Sequence, residues 1–163
     1  RGWEVAIVAQ HDPLDKASCS QGAGGLWLPF HVEPALESAA WARTTLEVFR
    51  KEKSFGAPRA QFIEQLPVLL LKDGRTPPAA LPPWASIPEL GFEVLSREEL
   101  KRRRPDVVLP ADVWGAWCFD APVINVRPYL TSMLEELRAA GVQAAFGQRC
   151  ATLLEAVEVG EDF

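Results

Sequence analysis

The chain has 163 residues, of which 48% are hydrophobic and 24% charged, with a net charge of −5 at pH 7. That length supports one well-buried core, and the acidic balance excludes a general nucleic-acid binder, whose affinity comes from neutralising phosphates. No apolar run approaches the roughly 20 residues that a bilayer-spanning helix needs, so neither nucleic acid nor membrane is an expected partner.

The first element is the apolar run Val5-Ala6-Ile7-Val8-Ala9, whose length and turn-rich flank read as a buried strand. Gln10-His11-Asp12-Pro13 turns away from it and leaves His11 as an exposed turn residue. Next comes Ser18-Cys19-Ser20-Gln21-Gly22-Ala23-Gly24-Gly25-Leu26-Trp27-Leu28-Pro29-Phe30. Small hydroxyl and thiol side chains lead, small residues follow, and bulky apolar groups close the segment. Glycine has no Cβ and tolerates positive φ, so this loop can bring backbone close to a flat or phosphorylated ligand. A flexible surface turn is the alternative reading.

A helix opens with Pro34 at its first position, where the missing N–H costs nothing. Trp41, Thr45, Val48 and Phe49 fall at i, i+4, i+7 and i+8 and form its expected core-facing stripe, while Arg50 to Lys53 make a solvated end. Residues 61–71 read as strands, with Pro67 confined to an edge or a break. Thr76 to Trp84 is a stiff proline-rich loop packed by Trp84. Ser96-Arg97-Glu98-Glu99 is a capping box that starts a short helix ending by Pro105. The basic run Lys101-Arg102-Arg103-Arg104, with Glu98, Glu99 and Asp106 beside it, is expected to be a solvated helix end. From Val107 to Val126 the residues are β-rich, and Trp114, Trp117 and Phe119 are expected in a core. Pro128 opens the clearest helix, with Leu130, Met133, Leu134 and Leu137 on one face and Gly141 at the C′ position. Val142 to Phe146 and Ala151 to Val159 read as paired strands, and no internal repeat is visible.

No self-sufficient catalytic set emerges. Ser18 and Ser20 lie in no Gly-x-Ser-x-Gly elbow, Cys19 has no marked activating group, and no carboxylate pair has acid–base spacing. The three cysteines, Cys19, Cys118 and Cys150, are too widely spaced for a disulfide frame and read as reduced thiols of an intracellular protein. His11 and His31 are too few and too distant for a metal site.

The run Ser-Cys-Ser-x-x-Ala-Gly-Gly-Leu-Trp-x-Pro-Phe resembles the second flavin-binding segment of the D-amino-acid oxidase family. Further stretches resemble the family in the same order: Trp41-Ala-Arg-Thr-Thr-Leu46, Leu90-Gly-Phe-Glu-Val-Leu-Ser-Arg-Glu-Glu-Leu100, and Gly115 to Gly141. The resemblance implies an α/β to α+β fold that combines a partial FAD-binding domain with a mixed-sheet substrate domain. Residues 1–30 would be a partial FAD-binding segment, residues 31–141 a helix with the substrate-domain sheet and long helix, and residues 142–163 return strands. Arg1-Gly2-Trp3 would then be the end and glycine cap of a preceding helix. The family's glycine fingerprint would lie before Arg1, and its carboxylate-clamping Arg after Phe163. The chain therefore reads as an internal portion of a longer oxidase, completed by missing segments or by a homo-oligomer.

By matching position, Ser18, Cys19 and Ser20 would lie against the pyrophosphate and ribityl region of FAD. Gly24 and Gly25 would continue the loop, with Gly25, Leu26 and Trp27 along the isoalloxazine. Leu26, Leu28 and Phe30 would face the flavin or the substrate. Gln10 and His11 stand where an acidic residue often holds the ribose, and a Gln amide also bonds a hydroxyl. Cys150 would stand near the adenine end. The implied reaction is oxidation of a D-amino acid by oxygen, with peroxide as co-product, in a peroxisome if eukaryotic or the cytoplasm if bacterial. Two rivals are a glycine or sarcosine oxidase type and a truncated, non-catalytic homologue acting as an interaction subunit.

Overall fold

The computed structural model describes residues 5–30, 32–74 and 76–152 together with Glu155. The expected helix end at residues 1–3 and His31 lie outside the described residues. Two compact units interleave along the chain. The first takes residues 1–25, 56–63 and 124–163, and the second residues 26–55 and 64–123.

In the first unit, β1 (Ala6–Ala9) pairs in parallel with β5 (Gln143–Phe146), in the register Ala6↔Gln143 to Ala9↔Phe146. Parallel neighbours need a crossover, and the element leading directly into β5 is α3 (Val126–Ala139). Pro128 sits in the first turn of α3 rather than at its start, where it still forfeits no helical hydrogen bond. Gly141, at φ +85°, ends the helix as the sequence predicts. Its amide donates to the Arg138 carbonyl, and that of Val142 donates to Leu137, both at 3.0 Å, which satisfies two orphan carbonyls. Tyr129 and Leu134 are the buried residues of α3. The helix packs on the 3₁₀ turn Pro58–Phe62, where Arg59 pairs with Glu136, and on the 3₁₀ turn Cys19–Gly22.

The second unit holds a three-stranded sheet of order β2-β4-β3, formed by β2 (Ile63–Asp73), β4 (Val113–Ile124) and β3 (Glu93–Ser96). Pro67 lies on the outer strand β2, where its missing donor breaks no central ladder. The strand expected from Val107 begins only at Val113, because residues 104–112 form a loop tied down from outside. Arg97, the first residue of α2 (Arg97–Arg103), donates to the carbonyls of Leu109, Pro110 and Val113. Ser96 caps α2 by accepting the Glu99 amide at 3.2 Å. The reciprocal arm of the capping box is absent: Glu99 Oε1 instead accepts from Arg103 at 2.8 Å. With Arg104 paired to Asp106, the basic run is a solvated, acid-compensated helix end.

The core of this unit gathers Trp84, Leu90, Trp117, Phe119 and Ala121 with Ala42 and Leu46 of α1 (Ala35–Ser54). Trp84 meets Trp117, Phe119 and Phe92 edge-on at centroid distances of 5.9, 5.3 and 5.4 Å. Each such ring buried contributes roughly 1.5–3 kcal/mol. The face of α1 differs from the expected stripe. Ser38, Ala42 and Leu46 are buried, whereas Trp41 is 61% exposed and Val48 44%. Small residues let the helix approach Trp84 closely, and Trp41 would hold it away.

Val142–Phe146, expected to pair with Ala151–Val159, supplies β5, which pairs with β1. Ala151 and Thr152 form a bend, Glu155 is helical, and the rest of that stretch lies outside the described residues. Among the described residues, no helix is long and apolar enough to cross a membrane.

Candidate functional site

In the first unit, parallel pairing puts the carboxyl ends of β1 and β5 side by side. The Gln148 amide closes that end by donating to the Ala9 carbonyl at 3.2 Å. Gln10 and His11 follow β1 and are exposed, and half-buried Cys150 follows β5. The carboxyl end of parallel strands is where open α/β sheets receive ligands, because strand and helix ends leave backbone groups unpaired there. Asp12 turns inward on its own loop, its Oδ1 accepting the Leu14 amide at 2.8 Å. His11 Nδ1 stands 3.9 Å from Asp15 Oδ2 on the open surface.

Ser18 leads into the turn Cys19–Gly22, whose Gln21 side chain holds the loop by donating to the Pro13 carbonyl at 2.9 Å. The hydroxyls of Ser18 and Ser20 make no hydrogen bond to the described residues, and Cys19 is exposed. A Cβ built on Gly22 or Gly24 would have no heavy atom within 4 Å. Gly25 is different: at φ +71°, a Cβ there would overlap the Ile124 carbonyl oxygen. The fold therefore requires glycine at Gly25, and Gly22 and Gly24 have open space where a side chain would stand. These groups fit the polar stretch of a dinucleotide: unpaired hydroxyls, an uncovered glycine backbone and an amide at the strand end. Among the described residues, no cluster of metal-ligating side chains occurs.

In the second unit, Leu26 bridges antiparallel to Val123, and the Trp27 amide donates to the Pro122 carbonyl at 2.9 Å. Leu26 is 48% exposed, and Trp27, Leu28 and Phe30 are partly buried against the aromatic core. One residue near them escapes sequence reasoning. The Lys72 ammonium lies 4.0 Å from the Trp117 ring centroid and 5.7 Å from that of Phe30. A lysine late in a strand carries no sequence signal for such a placement. A recess of about 840 Å³ between α1 and residues 81–87 contains none of the candidate residues.

The sequence model of the family described as "FAD dependent oxidoreductase" matches residues 1–162. A D-amino-acid oxidase of Rubrobacter xylanophilus is 31% identical over 144 residues, covering 86% of this chain and 38% of its own length. Among solved structures, an L-amino acid deaminase of Proteus myxofaciens, in complex with anthranilate, superposes with a TM-score of 0.58 at 14% identity. That match covers 93% of this chain and 36% of the deaminase, and it shows a shared fold. The chain thus spans less than two-fifths of the length of either relative.

Proposed function

This chain belongs to the FAD-dependent oxidoreductase family, and from that premise we propose that it is the flavin-contacting part of an enzyme that oxidises D-amino acids. The observation that carries the substrate class is the 31% identity to a D-amino-acid oxidase across 86% of the chain. When bound, FAD supplies two-electron oxidation of the substrate's amine carbon, with oxygen as final acceptor and hydrogen peroxide as co-product.

The chain's own residues position and shield. The Gln10 side chain offers a hydrogen bond to the ribose, and Cys150 stands at the same strand end, toward the adenine. The free hydroxyls of Ser18 and Ser20, with Cys19 between them, bond the pyrophosphate and ribityl oxygens. The uncovered backbone at Gly24 lets the loop lie flat against the cofactor, and Leu26 and Trp27 provide apolar surface that excludes water. Leu28 and Phe30 shape the substrate side from a partly buried, preordered position.

The test is an absorption spectrum of the purified protein, followed by a peroxide assay against paired D- and L-amino acids. A bound flavin with peroxide from the D-series alone supports the reading. Peroxide only from glycine or sarcosine moves the enzyme to that branch. A protein that takes up no FAD at saturating cofactor removes the proposed role.

A further inference from the structure

We propose that Lys72 is a recognition point for a carboxylate on the side chain of a small-molecule ligand, making it a specificity-determining residue. The inference rests on the amino-acid reading above and adds an anionic side chain to it. Val68, Leu70 and Lys72 alternate along β2 and share one face, and the first two pack on the aromatic core. That apolar face therefore ends in one half-buried cation. The ammonium rests over the faces of Trp117 and Phe30, whose quadrupoles attract a cation without neutralising it.

No carboxylate of the described residues lies within ion-pairing distance of Lys72, and its three donors bond no described group. The adjacent acid, Asp73, belongs to the opposite face of the strand. A second, independent observation lies in the same cluster. Trp117 is 6% exposed, and its indole N–H is buried with no acceptor. A buried donor without a partner is costly and marks a place that an acceptor would satisfy. An uncompensated cation and an unsatisfied donor on contiguous side chains, beside Phe30, match an anion with several acceptor oxygens. A carboxylate is such a group.

Succinate is the probe, titrated into the purified chain and followed by intrinsic tryptophan fluorescence. Lys72→Met keeps the apolar stem and removes the charge, Lys72→Arg restores the charge, and thermal melting checks that each variant is folded. Lys72→Met is expected to weaken succinate binding by about tenfold or more, with propionate less affected and Lys72→Arg recovering most of the loss. Equal succinate affinity in wild type and Lys72→Met overturns the proposal, as does a wild-type chain that does not bind succinate. With flavin-loaded enzyme, Lys72→Met should lower kcat/KM for D-glutamate about tenfold more than for D-alanine, and equal losses count against Lys72. If no D-amino acid is oxidised, the oxidase reading falls while the succinate comparison still decides the role of Lys72.

Discussion

The Ile124 amide donates to the Gly25 carbonyl at 2.8 Å, and the Ile124 carbonyl oxygen occupies the space that a Cβ on Gly25 would need. This locks the glycine-rich loop onto the end of β4 with no room for a side chain. Gly25→Ala combines that overlap with a positive φ of +71°, and the two effects together cost about 2–5 kcal/mol. The expected result is a melting temperature lower by about 10 °C. A change within about 2 °C would show that the close approach is absent.

Gly24→Ala separates binding from folding at the preceding position. Open space surrounds a Cβ there, and its φ is not in the left-handed region. Melting should change by less than about 0.5 kcal/mol. With Gly24 against the flavin as proposed, FAD affinity should fall several-fold, because the added methyl would stand between backbone and cofactor. Unchanged FAD affinity, measured by fluorescence quenching of the free flavin, would remove Gly24 from the proposed site.

Arg97 holds the loop of residues 104–112 through the carbonyls of Leu109 and Pro110, and the start of β4 through that of Val113. Arg97→Met leaves those acceptors without their charged donor and should cost about 2 kcal/mol. Lysine cannot reproduce the fork of donors, so Arg97→Lys should recover little of this. Limited proteolysis should then cut between residues 104 and 112 faster than in the parent protein. An unaltered cleavage pattern would argue that the loop is held by other contacts.

Cys118 and Cys19 should differ in reactivity. Burial, reinforced by Glu93 and Asp120, pushes the Cys118 thiol above its ordinary range. Cys19 is exposed. Iodoacetamide on the native protein near pH 7.5 should label Cys19 first, as read by peptide mass spectrometry. The folded state holds the Cys118 proton more tightly than the unfolded chain does. Its contribution to stability is therefore complete below about pH 8.5, the unfolded thiol value, and is lost as the pH rises through the higher folded value. Labelling of Cys118 as fast as Cys19 would contradict this.

Features set by neighbours in sequence were readable from sequence. The Gly141 helix stop, the Ser96 cap, the strand before Gln10 and the edge position of Pro67 each depend on local backbone chemistry. The family was also readable, because the Ser18–Phe30 run combines a loop geometry with specific side chains. The α1 face was not. Its periodicity allows more than one apolar stripe, and the core around Trp84 took Ala42 and Leu46 rather than Trp41. The start of β4 was misplaced because β-propensity cannot reveal that Arg97 captures the carbonyls of the preceding loop.

Local chemistry in the sequence determined the loops, caps and most elements of this protein, and its motifs pointed to the FAD-dependent family. Tertiary structure alone decided which glycine tolerates a side chain, since Gly25 combines a positive φ with the Ile124 carbonyl above it and Gly24 has neither. It also decided that Lys72 ends over Trp117 and Phe30. The physical reason is common to both: close packing is a relation between distant segments, and its strength depends on distances that no stretch of neighbouring residues encodes.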